Sequence, residues 1–196
     1  MRSRFDEQLA LLNKEMIEMG ALCEEVIALA SKALTEADPE LAQRVAPLDA
    51  EIDQKERNIE SLCLKLLLQQ QPVARDLRQI SAALKMITDM ERIGDHAADI
   101  SEIIVTLLRR NEPYIKHLDY IQNMAKETSV MLVGSVDAFV NRNQLQAAAV
   151  IEKDDVVDEL FHQVQTELVQ LIHEDPNCGE QATDLLMLSL IHISEP

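Results

Sequence analysis

Apolar residues between positions 5 and 30 recur at alternating steps of four and three. This heptad spacing places them on one face of a helix, so it predicts a long amphipathic first helix whose apolar face is buried in a core. The residues on that face are Phe5, Leu9, Leu12, Met16, Met19, Cys23, Val26 and Ala30.

Five breaks interrupt the helical pattern further along the chain. The first contains Asp38, a suitable N-cap, and Pro39, which suits the first position of a second helix that runs to about residue 70. Short connections between long helices favour antiparallel neighbours. We therefore predict an all-α fold of two tandem antiparallel three-helix bundles, residues 1–112 and 113–187. The breaks lie at residues 36–40, 69–72, 110–114, 141–143 and 174–179.

An internal repeat supports this division into two bundles. The segment "DAEID" at Asp49–Asp53, early in the second helix, is echoed by "DDVVD" at Asp154–Asp158, early in the fifth, at an offset of 105 residues. The breaks at Pro72 and Pro176 are offset by 104 residues. Two markers at nearly the same offset, within the same order of helices, favour duplication over chance.

The net charge of the chain limits the classes of partner that it can bind. It has 35 acidic and 18 basic residues, a net charge of −17, and 47% hydrophobic residues, of which few are aromatic. Such a field repels nucleic acid and anionic lipid, and it attracts metal ions or basic protein surfaces. The alternative is that the charge only maintains solubility.

The cellular compartment follows from cysteine usage and from the N-terminal segment. The three cysteines form no CxxC pair, which suits a reducing environment. The first ten residues contain no apolar signal-peptide region, and the most apolar run is far too short to span a bilayer. We therefore expect a cytoplasmic protein that meets membranes only through its partners.

Acidic residues form a stripe on each of two predicted helices. Glu91, Asp95, Asp99 and Glu102 share one face of the third helix, and Asp49, Asp53, Glu56 and Glu60 share one face of the second. If these helices are antiparallel neighbours, the stripes can meet and offer oxygen ligands to Mg²⁺, Mn²⁺, Ca²⁺ or iron, whereas structural zinc prefers Cys and His. The alternative is a solvated face with helix ion pairs.

Two residues beside the stripe of the third helix, Gly94 and His96, bear on this choice. Gly94 lies inside a helical pattern, where glycine costs about 1 kcal/mol relative to alanine, so it indicates that another group approaches closely. His96 could ligate a metal, orient a carboxylate or lie on the surface.

We find no catalytic constellation, because a ferritin-like di-iron site needs two ExxH motifs and only Glu159-x-x-His162 occurs. A carboxylate-bridged metalloenzyme and a helical adaptor without metal remain alternatives.

Three segments together resemble the PhoU family of accessory regulators of bacterial phosphate uptake. They read "MRSRFDEQLALLNKEMIEMGAL" at the start, "QQQPVARDLRQISAALKM" at residues 69–86 and "MERIGDH" at residues 90–96, and the resemblance extends to about residue 187. It implies two three-helix bundles with E/DxxxD motifs that hold divalent or trivalent metal ions of the Mg, Mn or Fe class. The expected ligands are Asp49, Asp53, Glu91 and Asp95, with Asp99 on the same stripe, and Asp154 and Asp158 in the second bundle.

The resemblance also implies a role without catalysis. Members of the family damp phosphate import and the phosphate-starvation response when phosphate is plentiful. They do so by contacting the ATPase of the phosphate transporter and a phosphate-sensing membrane histidine kinase, and homodimers are common among them. The acidic charge and the absence of an enzyme motif are consistent with this role.

The C-terminal segment departs from the repeat. "ERIGDH" should recur near residue 196 and does not; residues 188–196 instead read "LSLIHISEP", which resembles the in-frame translation of a transposase sequencing adapter. We therefore predict that this segment is an artefact, that His192 and Glu195 have no role, and that the second bundle lacks most of its last helix. Apolar side chains such as Met131, Val156 and Leu160 should then lose cover.

Overall fold

The structure, a computed structural model, describes residues 2–69, 73–109 and 119–189, and this part of the chain is helical without a strand. The all-α prediction is thus confirmed. The predicted domain boundary after residue 112 and the end of the C-terminal segment, residues 190–196, lie outside the described residues. The helices are α1 Arg2–Glu36, α2 Pro39–Gln43, α3 Val45–Gln69, α4 Ala74–Arg109, α5 Asp119–Asn141, α6 Gln144–Glu174 and α7 Gly179–Leu188, with a 3₁₀ turn at Pro176–Cys178.

The first bundle consists of α1, α3 and α4, with the short α2 packed beside them. All eight residues of the predicted α1 face are buried, none more than 7% exposed. The buried Cys23 thiol of α1 donates to the carbonyl oxygen of Met90 in α4 at 3.4 Å. On the side toward α3, Lys55 forms salt bridges with Glu15, at 2.7 Å, and with Glu18. The heptad face therefore forms the centre of this bundle.

The second predicted helix is divided, which corrects the sequence prediction. A turn at Arg44 separates α2 from α3, and Pro47 lies in the first turn of α3. Pro47 has no N–H to donate to the carbonyl of Gln43, so a continuous helix across this point would lack a hydrogen bond and would clash with the proline ring. The sequence interpretation overlooked the effect of Pro47.

The second bundle consists of α5, α6 and the short α7, which packs against α6 and against α4 of the first bundle. Helices α1 and α5 approach closely, since a Cβ atom placed on Gly20 would lie 3.0 Å from Cγ2 of Val136. Within the bundle, Lys153 of α6 pairs with Glu127 of α5 at 3.1 Å. Buried residues from both bundles form one continuous hydrophobic core.

An open groove lies beside the second bundle. Helix α7 has only 10 residues, and a groove of about 810 Å³ opens between α4, α5 and α6. Ile151 in the groove is 71% exposed. Of the three side chains predicted to lose cover, Val156 is 48% exposed. Leu160 is partly buried, and the prediction was wrong for Met131, which is only 2% exposed because it belongs to the hydrophobic core.

No helix in the described part of the chain combines the length and the apolarity that a membrane span requires.

Candidate metal centre

The acidic stripes of α3 and α4 face each other. Asp49 near the start of α3 lies beside Gly94 in the second half of α4, so these consecutive helices are antiparallel. Carboxylate oxygens of Asp49, Asp53 and Asp95 all lie within 4.8 Å of one another. The structure thus brings three of the predicted ligands into one cluster, as the spacing of the two stripes predicted.

Gly94 is the point where the two helices make room for a carboxylate. A Cβ atom placed there would lie 2.6 Å from Oδ1 of Asp49 and 3.3 Å from Cδ1 of Ile52. Because the first distance is shorter than side-chain atoms tolerate, only glycine leaves space for this oxygen. The close approach that the sequence indicated at Gly94 is therefore that of Asp49.

One oxygen of Asp49 lacks a hydrogen-bond partner. Oδ1 of Asp49 is fully buried and accepts no hydrogen bond, although buried polar atoms almost always have a partner. The pKa of Asp49 is raised from its ordinary value, first by burial and then by the negative charges of Asp95, Asp53 and Asp99. A half-buried carboxylate among other acids, with one buried oxygen unpaired, is an arrangement that a bound cation would stabilise.

Two glutamates add negative charge beside the cluster of Asp49, Asp53 and Asp95. Burial, followed by the charges of Asp95, Glu56, Asp53 and Asp49, raises the pKa of Glu91. The pKa of Glu56 is raised by burial, Glu60 and Asp53, against a lowering by Arg57. Glu56 lies on the predicted α3 stripe but was not among the predicted ligands, and its interaction with Glu91 across the helices is visible only in three dimensions.

Helix ion pairs account for only part of this surface. Arg57 pairs with Asp53 at 3.3 Å, and Arg92 pairs with Asp89 at 3.6 Å; both pairs are largely exposed. Neither arginine reaches Asp49. The interpretation as a solvated face with helix pairs therefore fits Asp53 in part and leaves the buried oxygen of Asp49 unexplained.

The remaining predicted residues contribute less or lie elsewhere. Glu91 and Asp99 act on the cluster through their charge but are outside the group of three, and His96 belongs to no group of potential ligands among the described residues. In the second bundle, Oδ1 of Asp154 is also buried without a partner, whereas Asp158 is exposed. The described ranges contain no second group of three potential ligands.

The donor set of the first cluster fits a hard cation. Its ligand atoms are carboxylate oxygens, which suit Mg²⁺, Mn²⁺ or iron better than structural zinc. Asp49, Asp53 and Asp95 would hold the ion, and Glu91 and Asp99 would add negative charge around it. The ion would supply the positive charge that offsets the repulsion among these acids. Metal binding by these residues, and by Asp154 and Asp158, stays a prediction.

Fold and site together define a class: an all-α protein of two packed three-helix bundles, with a carboxylate cluster between two helices of the first. The model of the PhoU domain matches residues 16–104 and 121–195, one range in each bundle. The chain belongs to the PhoU family. The second range runs to residue 195 and so includes residues 188–195, which counts against the prediction that residues 188–196 are an artefact.

Individual relatives are similar over most of their length. The chain is 35% identical over 188 residues to the phosphate-specific transport system accessory protein PhoU homolog of Clostridium acetobutylicum, covering 95% of this chain and 85% of the relative. The crystal structure of PhoU from Pseudomonas aeruginosa superposes with a TM-score of 0.90 at 31% identity, covering 97% of this chain and 91% of that one. The phosphate transport system regulatory protein PhoU from Streptococcus pneumoniae gives a TM-score of 0.82 at 25% identity, with 96% and 91% coverage.

Proposed function

We propose that this protein is a cytoplasmic, non-catalytic regulator of bacterial phosphate uptake. It damps the phosphate transporter and the phosphate-starvation response when phosphate is plentiful. The observation that carries the proposal is the family match in both bundles, together with relatives named as accessory or regulatory proteins of phosphate transport.

The proposed partners are the transporter ATPase and a phosphate-sensing membrane histidine kinase. A net charge of −17 suits contact with basic surfaces on such partners and disfavours nucleic acid. The protein reaches the membrane only through these partners and forms a homodimer.

The proposed cofactor is a metal ion of the Mg, Mn or Fe class bound between α3 and α4. The buried, unpaired oxygen of Asp49 supports this part of the proposal, because a carboxylate cluster on a purely solvated face would not bury one of its oxygens without a partner. Asp154 and Asp158 form the corresponding site of the second bundle, and with fewer acids nearby it binds metal more weakly.

The experiment that tests the function is co-purification with both partners, with and without Mn²⁺. The variant combines Asp49→Asn with Asp95→Asn. Its matched control combines Glu152→Gln with Asp155→Asn, two exposed acids of α6 outside the α3–α4 cluster. We expect the wild type and the control to retain the ATPase or the kinase and to repress a phosphate-starvation reporter, and the cluster variant to do both less well. Retention of neither partner by the wild type would contradict the proposed function.

Metal analysis and turnover assays separate the alternatives. We expect the wild type to bind Mn²⁺ and the cluster variant to lose the tighter site, while neither turns over phosphoesters or redox substrates. A wild type that binds the partners but no metal would be the plain helical adaptor. Turnover that is lost in the cluster variant would instead identify a metalloenzyme.

A further inference from the structure

Gly94 is the residue whose size decides where the Asp49 carboxylate can lie. Gly94 is buried where α4 meets Asp49 and Ile52 of α3. A methyl group at Gly94 would lie 2.6 Å from Oδ1 of Asp49, the same oxygen that is buried without a partner. The glycine and the unpaired oxygen are therefore two sides of one contact.

We propose that Gly94 is a positioning residue for cation binding: its missing side chain holds open the place from which Asp49 reaches the ion. This inference rests on the proposed metal site and adds a residue that provides no ligand. The role of Gly94 is purely steric, since a glycine side chain can neither donate nor accept. It explains why an interior helical position carries the residue that most weakens a helix after proline.

The surrounding contacts predict which atoms would move if Gly94 gained a methyl group. The atom within 3.0 Å is the terminal oxygen of a flexible side chain, and the next, Cδ1 of Ile52 at 3.3 Å, is also a side-chain end. Neither contact involves backbone, so the helices need not separate. Ile52 is fully buried and packed in the core, so the Asp49 carboxylate is the group that can shift, and a shift moves its oxygen from the position it holds beside Asp53 and Asp95.

The test is Mn²⁺ binding by the purified full chain, measured by titration calorimetry after treatment with chelator. We expect Gly94→Ala to bind Mn²⁺ at least fivefold more weakly than the wild type. The metal-free variant should unfold in urea at a midpoint no lower than that of the wild type, because alanine favours the helix. The control is Gly179→Ala, another substitution of a helical glycine, where a Cβ atom meets nothing within 4 Å; its affinity should equal that of the wild type.

A double-mutant cycle determines whether Gly94 acts through Asp49. In an Asp49→Asn background, Gly94→Ala should change the remaining Mn²⁺ affinity less than twofold, because the carboxylate that it displaces is already gone. An equal loss in both backgrounds would show that Gly94 acts elsewhere and would overturn the inference.

The other outcomes are also decisive. Mn²⁺ binding by Gly94→Ala within fivefold of the wild type overturns the inference and leaves the metal site standing. A Gly94→Ala chain that fails to fold overturns it too, because the contact would then involve more than the end of one side chain. Absence of Mn²⁺ binding by the wild type removes both the proposed metal site and the role of Gly94.

Discussion

At the scale of single residues, Asp49 is a carboxylate whose charged form the metal-free fold disfavours. Its carboxylate combines a buried, unpaired oxygen with three neighbouring acids that raise its pKa after burial does. A carboxyl group whose pKa is higher in the folded than in the unfolded chain stabilises the fold when protonated. Its contribution is therefore present below the unfolded pKa and is lost as pH rises through the folded pKa.

We therefore predict that Asp49→Asn stabilises the metal-free protein at pH 7. Removing the repulsion should raise the free energy of unfolding by roughly 0.2–0.5 kcal/mol for each like-charged neighbour. The gain should shrink as pH falls toward 3.8, the ordinary pKa of this carboxyl group, since the wild-type side chain then becomes neutral. Urea unfolding in the presence of a chelator measures both effects. Asp155→Asn, an exposed acid of α6, is the control and should show neither.

The buried thiols give a second prediction at this scale. Burial raises the pKa of Cys23 to about 12 and that of Cys63 to about 11, so both are almost entirely protonated at pH 8. We expect neither to react with a disulfide reagent until the protein unfolds. An engineered Ala10→Cys, on the exposed face of α1, should react at once. Rapid native-state modification of Cys23 would show that the core around α1 opens locally.

At the scale of helices, periodicity predicted most of what the structure contains. The eight-residue face of α1 is wholly buried, and the helix starts after Asp38 and Asn143 coincide with breaks identified in the sequence. The division at Arg44 was missed because the apolar periodicity continues across it. What ends the helix is the backbone hydrogen bond that Pro47 cannot form, and apolar periodicity does not report this. The stripes of α3 and α4 were visible in the sequence, but the burial of one Asp49 oxygen over Gly94 depends on the register of two helices.

The helix caps can be tested directly. Oδ1 of Asp38 accepts hydrogen bonds from the backbone N–H groups of Glu40, at 2.8 Å, and Leu41, at 3.3 Å. We expect Asp38→Ala to lower the free energy of unfolding by about 0.5–2 kcal/mol, since these donors lose their partner and the helix N-terminus loses a negative charge. Asp6→Ala, on the exposed face of α1, should change it by less than about 0.5 kcal/mol. Equal effects of the two substitutions would contradict the role of the cap.

At the scale of the whole molecule, the sequence repeat predicted two bundles but not how they pack together. The heptad spacing of α1 predicted which of its residues are buried within the first bundle. The contact with α5 includes Gly20, where the two helices approach closely and a Cβ atom would meet Val136. A single glycine in a helical pattern does not indicate which helix it will meet, so this interface could not be inferred from periodicity.

The interface between the bundles provides the last prediction. Val136 of α5 is 5% exposed, and its Cγ2 atom would lie 3.0 Å from a methyl group at Gly20. We expect Gly20→Val to lower the free energy of unfolding by about 1–3 kcal/mol, because the added atoms overpack a contact between two long helices. Urea denaturation measures this loss.

A compensating variant tests whether the loss arises at this contact. Val136→Ala removes the atoms that a larger side chain at Gly20 would meet, so Gly20→Val should cost less in that background, with a coupling of about 0.5–3 kcal/mol. Additive losses would mean that the bundles tolerate side chains at Gly20 and that their docking depends on other contacts. A positive coupling would instead place the junction of the two bundles at this pair, because Gly20 belongs to the first bundle and Val136 to the second.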